Sequence, residues 1–128
     1  MKKRLDSVER VLSVQRQLRR LAEVKLAELE RREATLKTAR HELVDALNGD
    51  TALHGLFIAP MARRVKTVSG EIATLERAKE AQSKRLLEQT GRMKRAERVV
   101  ETLDREYQAA LEKRDLAELI DGLKPKPE

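Results

Sequence analysis

Apolar side chains recur every three or four residues along nearly the whole sequence, with a single interruption near its middle. The first stretch runs from Leu5 to Leu47 and the second from Met61 to Ala110. A spacing that alternates between three and four residues places these side chains in one stripe along a helix, which is the pattern of a coiled coil. Two such stretches separated by one break predict two long helices that fold back on each other.

The interruption carries signals that end one helix and begin another. Asn48 and Gly49 tolerate the left-handed backbone conformation in which many helices end. Pro60 suits the first turn of a helix, because its missing N–H has no helical acceptor there. We therefore predict an all-α fold, an antiparallel two-helix coiled-coil hairpin, with helices over about residues 3–47 and 60–121.

The segment between the helices is predicted to form a short turn and an apolar tip. Asp50 can cap a turn over residues 51–54, which Gly55 would end. The three large apolar residues that follow cannot all point into a seam between two helices. They either fold over the end of the hairpin or form an exposed knob for a partner, with two arginines nearby. The candidate partner-binding residues of the tip are Leu56, Phe57, Ile58, Arg63 and Arg64.

The hairpin predicts which residues face each other across the seam. Folding about the break sets Leu36 opposite Ile72 and brings Glu33 within a turn of Lys79, where the two can form an ion pair. On the first helix we place Leu18 in the seam. The steps that follow it form an eleven-residue repeat, which would locally relax the supercoil.

The expected domain organisation is simple. Residues 1–122 form a single coiled-coil domain, and residues 123–128 form a flexible tail. The second helix is expected to extend past the start of the first. A parallel dimer of longer helices is the alternative, but both of its strands would have to bridge the break.

Polar residues interrupt the middle of the second stripe. Such residues in a coiled-coil core lower stability and fix the alignment of the helices. The alternative is a soft stretch that lets the hairpin bend. The candidate register-setting residues are Lys79, Gln82, Gln89 and Glu33.

Basic residues are spread along both helices and alternate with glutamates. Most of this charge is typical of a solvated helix surface, although basic clusters could also dock on an acidic protein. The candidate residues of these basic faces are Arg19, Arg20, Arg31, Arg32, Lys94, Arg95 and Arg98.

Composition argues against catalysis and against nucleic-acid binding. The chain has no cysteine, and its two histidines, His41 and His54, fit no zinc motif. We expect no enzymatic activity, no catalytic or metal-binding residue and no cofactor. The net charge is +6, but it is interleaved with acids, and aromatic residues for base stacking make up 2% of the chain. The composition therefore argues against nucleic acid as a partner, and no small-molecule substrate is expected.

The sequence also bears on compartment. The basic start at Lys2, Lys3 and Arg4 is not followed by the apolar region of a signal peptide, and no apolar run approaches the length of a membrane span. We expect a soluble cytoplasmic protein.

The chain resembles the FliJ/YscO family of bacterial flagellar and type III secretion proteins. The resemblance lies in its size, its basic charge, the Arg/Glu/Ala/Leu-rich run from Leu18 to Glu33, the single mid-chain break and the longer second arm. It implies an antiparallel coiled coil similar to the central stalk of rotary ATPases. It further implies binding to the hexameric export ATPase and the export gate membrane protein, and in some members to export chaperones.

By this resemblance the paired chain ends would enter the ATPase ring and the tip would meet the gate, which places the chain peripherally at a membrane export complex. We expect a monomer in isolation. A generic coiled-coil adaptor or dimerisation protein is the alternative function, and a basic nucleic-acid-binding hairpin is a third.

Overall fold

The structure is a computed structural model that describes residues 1–49 and 54–123. It contains two helices, α1 (Lys2–Leu47) and α2 (His54–Leu123), and no strand among the described residues. The helices pack together as the predicted all-α hairpin. Their pairing is antiparallel, since Gln15 near the start of α1 contacts Gln89, whereas Glu33 further along contacts Lys79. Neither helix contains, within the described residues, a stretch long and apolar enough to cross a membrane.

Helix α1 ends at the predicted residue, Leu47, but its last turn does not have the predicted backbone conformation. The backbone N–H of Asn48 donates to the carbonyl of Val44, and that of Gly49 donates to Ala46, each at 3.1 Å. No described residue has a positive φ, so the left-handed ending expected from the sequence is wrong. The helix instead closes with a tight turn. A Cβ on Gly49 would lie 3.2 Å from the carbonyl oxygen of Ala46, which explains why glycine fits there.

The start of α2 differs from the prediction. The helix begins at His54, so Gly55 does not break it and Pro60 lies inside it rather than in its first turn. Proline cannot donate the backbone hydrogen bond that the carbonyl of Leu56 would accept. The helix tolerates this missing hydrogen bond because Pro60 lies near the start of α2, where few backbone hydrogen bonds precede it.

Other predicted boundaries fall at or beyond the described range. The helix ends at Leu123, slightly later than predicted and with Gly122 inside it, which is within the usual spread of helix ends. The expected cap at Asp50 and most of the turn over residues 51–54 lie outside the described residues. The predicted tail over residues 123–128 loses its first residue to α2, and the rest of it lies outside the described residues.

The contacts between residues divide the chain into two units. Unit 1 combines Met1–Arg19 with the chain from Gln89 onward. Its core is formed by Leu5, Leu12 and Leu103, each 6% exposed. Every residue from 112 to 123 is exposed, because α2 continues past the first residue of α1. We call residues 112–123 the overhang.

Unit 2 is Arg20–Glu88. Its most buried side chains are Val68 and Ile72, which are 0% and 3% exposed. The remaining apolar seam positions are half-buried, as expected when two helices bury a strip rather than a round core. They include Leu26, Leu29, Leu36, Leu43, Leu47, Met61, Val65, Leu75 and Leu86.

One seam position in unit 1 was assigned to the wrong residue. Leu18 is 42% exposed, and its neighbour Arg19 is half-buried in its place. Arg19 lies one heptad after Leu12 and one before Leu26, so the regular repeat continues through it. The eleven-residue step expected from Leu18 is therefore absent. A long arginine side chain can cover a seam position with its aliphatic part while its charged end reaches a polar partner.

Candidate partner-binding surfaces and the polar seam

A cluster of four charged side chains crosses the seam of unit 2. Glu33 is 6% exposed, although it carries a carboxylate. The ammonium of Lys37, one turn along α1, lies 2.9 Å from its Oε1. Lys79 on α2 donates to Oε1 at 3.3 Å and lies 3.2 Å from Oε2. Lys37 also lies 3.8 Å from Glu76. The ion pair expected between Glu33 and Lys79 is thus part of a larger network.

The two lysines keep Glu33 ionised. Hydrogen bonds from Lys37 first, and then from Lys79, hold the pKa of the Glu33 carboxyl below its ordinary value of 4.5. The same contact with Glu33 raises the pKa of Lys37 above 10.5. Oε2 is buried without a hydrogen-bond partner in the described part of the chain, so Lys79 attracts it by charge alone. A carboxylate with a lowered pKa is a poor general acid, and the arrangement is suited to holding the helices together.

Two glutamines extend the polar part of the seam. In unit 2, Gln82 is 4% exposed and its Nε2 donates to the carbonyl of Ala22 at 3.1 Å. In unit 1, Nε2 of Gln89 donates to Oε1 of Gln15 and lies 3.5 Å from the Gln15 carbonyl. A slip of either helix would break these bonds and leave polar groups buried without partners. The positions of Gln82 and Gln89 therefore suit the register-setting role that we hypothesised.

Arg19 forms a further polar contact in unit 1. Its Nε donates to Oγ1 of Thr90 at 3.0 Å. The sequence placed Arg19 among surface residues, and the signal that identifies it is its heptad position rather than its chemistry. A prediction by spacing alone would have found it.

The tip residues lie in the first turns of α2. Leu56, Phe57 and Ile58 are 74%, 52% and 44% exposed, and Arg63 and Arg64 nearby are also exposed. Exposure of this extent favours the knob over the clasp. The structure therefore brings the three apolar and two basic tip residues into one short, accessible segment.

The other basic candidates are divided between the two units. In unit 1, the side chain of Arg19 lies in the seam, whereas the basic candidates on α2 are exposed to solvent. In unit 2, Arg20 is exposed, and two further arginines border a groove. The exposed members of the set in unit 1 are Lys94, Arg95 and Arg98, and the groove arginines of unit 2 are Arg31 and Arg32.

This groove was not foreseen from the sequence. It has a volume of about 980 Å³ and lies between α1 and α2 within unit 2. Small side chains on α2 leave the space open, and a Cβ added to Gly70 would meet nothing within 4 Å. The signal in the sequence is a run of small residues at helical spacing. The lining consists of Glu28, Arg31, Arg32, Thr35, Leu36, Thr67, Gly70, Glu71, Thr74 and Leu75.

Among the described residues, no group of three histidine, cysteine or acidic side chains could hold a metal ion. No family model, no curated protein and no solved structure matches the chain. The function is therefore inferred from the fold, the seam and the exposed surfaces.

Proposed function

We propose that the chain is a non-enzymatic component of a bacterial flagellar or type III protein export apparatus, where it engages the hexameric export ATPase and the export gate. The resemblance to the FliJ/YscO family motivates this proposal. The observation that supports it most is the antiparallel pairing of two long helices, α1 and α2. That is the architecture the resemblance implies for a stalk protein.

The proposal assigns different surfaces to different partners. The paired chain ends in unit 1 would engage the ATPase, and the exposed tip at Leu56, Phe57 and Ile58 would engage the gate. The chain would then lie in the cytoplasm, peripheral to a membrane complex, and could also bind export chaperones. Basic residues on both helices would speed its encounter with acidic partners.

The polar seam supports a mechanical role. A hairpin that acts on a ring must keep its two helices aligned under load, because a slip would move every surface residue of one helix relative to the other. The contacts of Gln82 and Gln89 and the Glu33–Lys79 pair each favour one alignment. These contacts are the kind of device that a coiled coil uses to fix its register.

The direct test is binding and stimulation of the export ATPase encoded by the same organism. We expect the purified chain to bind that ATPase at low ionic strength and to raise its rate of ATP hydrolysis, with the effect decreasing as salt screens the charges. Absence of both binding and stimulation would exclude the ATPase as a partner.

A variant of the tip separates the two proposed contacts. Replacing Leu56, Phe57 and Ile58 by serine should abolish binding to the gate protein and leave ATPase stimulation unchanged. Leu87→Ser is a suitable control, because Leu87 is 75% exposed but lies far along α2 from the tip. Equal loss of gate binding in the control would show that the tip is not the specific site.

The groove in unit 2 favours a second candidate function, a coiled-coil adaptor that binds a helix of another protein. The groove has an apolar contribution from Leu36 and Leu75 and a charged border from Arg31, Arg32 and Glu71. A third helix could pack there by its own apolar stripe. An adaptor of this kind would bind its partner without any effect on ATP hydrolysis, which distinguishes it from the first proposal.

A further inference from the structure

The overhang carries an apolar stripe that α1 does not cover. Leu116, Leu119, Ile120 and Leu123 are 58%, 62%, 50% and 76% exposed. Their spacing of three, one and three residues puts them on one face of α2. Helix α1 does not extend alongside the overhang. No other described part of the chain therefore buries that face.

A second exposed apolar stripe lies on the paired part of unit 1. On α1, Val11, Val14 and Leu18 are 51%, 51% and 42% exposed, at spacings of three and four residues. Val99 on α2 is 46% exposed. We call these four residues the flank stripe. Together with the overhang they give unit 1 two apolar stripes of similar length.

The heptad register places both stripes on the same side of unit 1. Leu18, Val99 and Ile120 each lie one residue before a seam position of their helix. In an antiparallel coiled coil, such positions of the two helices are neighbours across the seam. The opposite side is marked by Arg16 and Glu97, which each follow a seam position and pair at 3.9 Å.

From these features we propose that two copies of the chain form a reciprocal dimer, in which the overhang of each copy lies on the flank stripe of the other. With the two copies antiparallel, Leu116 lies opposite Val14 of the partner subunit and Ile120 lies opposite Leu18 of the partner subunit. Because both stripes are on one side, two copies related by a two-fold axis form both overhang-to-flank contacts at once. No apolar stripe is then left over to bind a third copy.

The size of the surface fits this assembly. The four overhang and four flank side chains of each copy, all 42–76% exposed, would together bury on the order of 1,000 Å² in the pair. That area is at the lower end for specific interfaces, so we infer association in the micromolar range. The dimer departs from the monomer expected from the sequence, and it does not depend on the export function. It would cover the end of unit 1 that the ATPase is proposed to bind, so the two associations would compete.

The first test is the mass of the full chain by sedimentation equilibrium from about 1 µM to about 500 µM. We expect a shift from one copy to two, and no larger species. In Leu116→Ser/Ile120→Ser the association should weaken about tenfold or more. The matched control Leu56→Ser/Ile58→Ser makes the same chemical change at the tip and should dimerise like the natural chain. Circular dichroism of each variant verifies that it is folded.

A mass of one copy throughout the concentration series, or growth beyond two copies, would overturn the proposal.

Discussion

At the scale of single residues, Glu33 has the most testable environment. It is nearly buried at a seam position and is neutralised by Lys37 and Lys79. We predict that Glu33→Gln lowers the melting temperature at neutral pH, because it leaves two lysines close together without their counter-charge. Glu28→Gln, at an exposed position of the same helix, should change the melting temperature much less. Equal effects of the two substitutions would contradict a specific role for the network.

The pH dependence of this difference follows from the pKa shifts. The pKa of Glu33 is lowered from 4.5 in the folded chain, so its stabilising contribution is present above that pH and is lost as the pH falls through the folded value. The pKa of Lys37 is raised from 10.5, so its contribution is present below that pH and is lost as the pH rises through its folded value. The gap in melting temperature between the natural chain and Glu33→Gln should therefore be widest from about pH 5 to pH 10. A gap that stays constant down to pH 3, well below the ordinary pKa of 4.5, would argue against the assignment.

Gln82 allows a second prediction at this scale. Its amide is buried in the seam and makes one hydrogen bond to the Ala22 carbonyl. Gln82→Leu should raise the free energy of unfolding by about 1 kcal/mol, because an apolar side chain of similar size replaces a buried amide. Gln17→Leu, at an exposed position of α1, is the control and should be nearly neutral. Chemical denaturation measures both, and a loss of stability in Gln82→Leu would show that the hydrogen bond outweighs burial.

The seam shows what residue types alone could and could not predict. The contact between Glu33 and Lys79 was expected from the fold-back of the two stripes and is present. Hydrophobicity favours Leu18 at the seam, but the seven-residue repeat favours Arg19, and the structure follows the repeat. A leucine on the surface and an arginine in the seam are compatible with a coiled coil as long as the arginine finds a polar partner, here Thr90.

At the scale of the helices, the two glycines far from both ends of α2, Gly70 and Gly91, form a natural pair for experiment. A Cβ on Gly70 would meet nothing within 4 Å, and one on Gly91 would lie 3.4 Å from the flexible end of Arg95. Since glycine costs about 1 kcal/mol relative to alanine inside a helix, both Gly70→Ala and Gly91→Ala should stabilise the fold by roughly that amount. Thermal melts measure the gain. Destabilisation by Gly70→Ala would mean that the space beside it is needed in the unbound chain.

The same pair of substitutions probes the groove. Gly70 lines it and Gly91 does not. If a partner helix packs in the groove, Gly70→Ala should weaken its binding while stabilising the hairpin, whereas Gly91→Ala should leave binding unchanged. A Gly70→Ala variant that is more stable but binds the partner helix more weakly cannot have lost its binding through misfolding.

Helix boundaries were the least predictable part of the elements. The end of α1 at Leu47 was marked by Asn48 and Gly49, but the start of α2 was placed at Pro60 instead of His54. Proline and glycine disfavour a helical backbone. Near the start of a long helix, however, each costs little relative to the many contacts that the rest of the helix makes. The stability of the whole helix therefore outweighs the local preference of Pro60 for the first turn.

At the scale of the whole molecule, the two-helix fold was predictable and the surfaces were not. The alternation of apolar residues determines a hairpin, because only one break separates two long stripes. The groove around Gly70 and the side on which Leu116 and Ile120 emerge depend on the register of one helix against the other. That register depends on contacts across the seam, and these include polar contacts that a hydrophobic pattern does not contain.

The tip gives the last prediction. Replacing Leu56, Phe57 and Ile58 by serine should leave helicity nearly unchanged and alter the free energy of unfolding by no more than about 1 kcal/mol, because all three side chains are 44–74% exposed. Val68→Ser/Ile72→Ser, which changes the two most buried side chains of unit 2, should unfold much of the hairpin. Circular dichroism during thermal unfolding compares the two variants. A large loss of helicity in the tip variant would show that these residues clasp the hairpin, and the knob would then be excluded as a docking site.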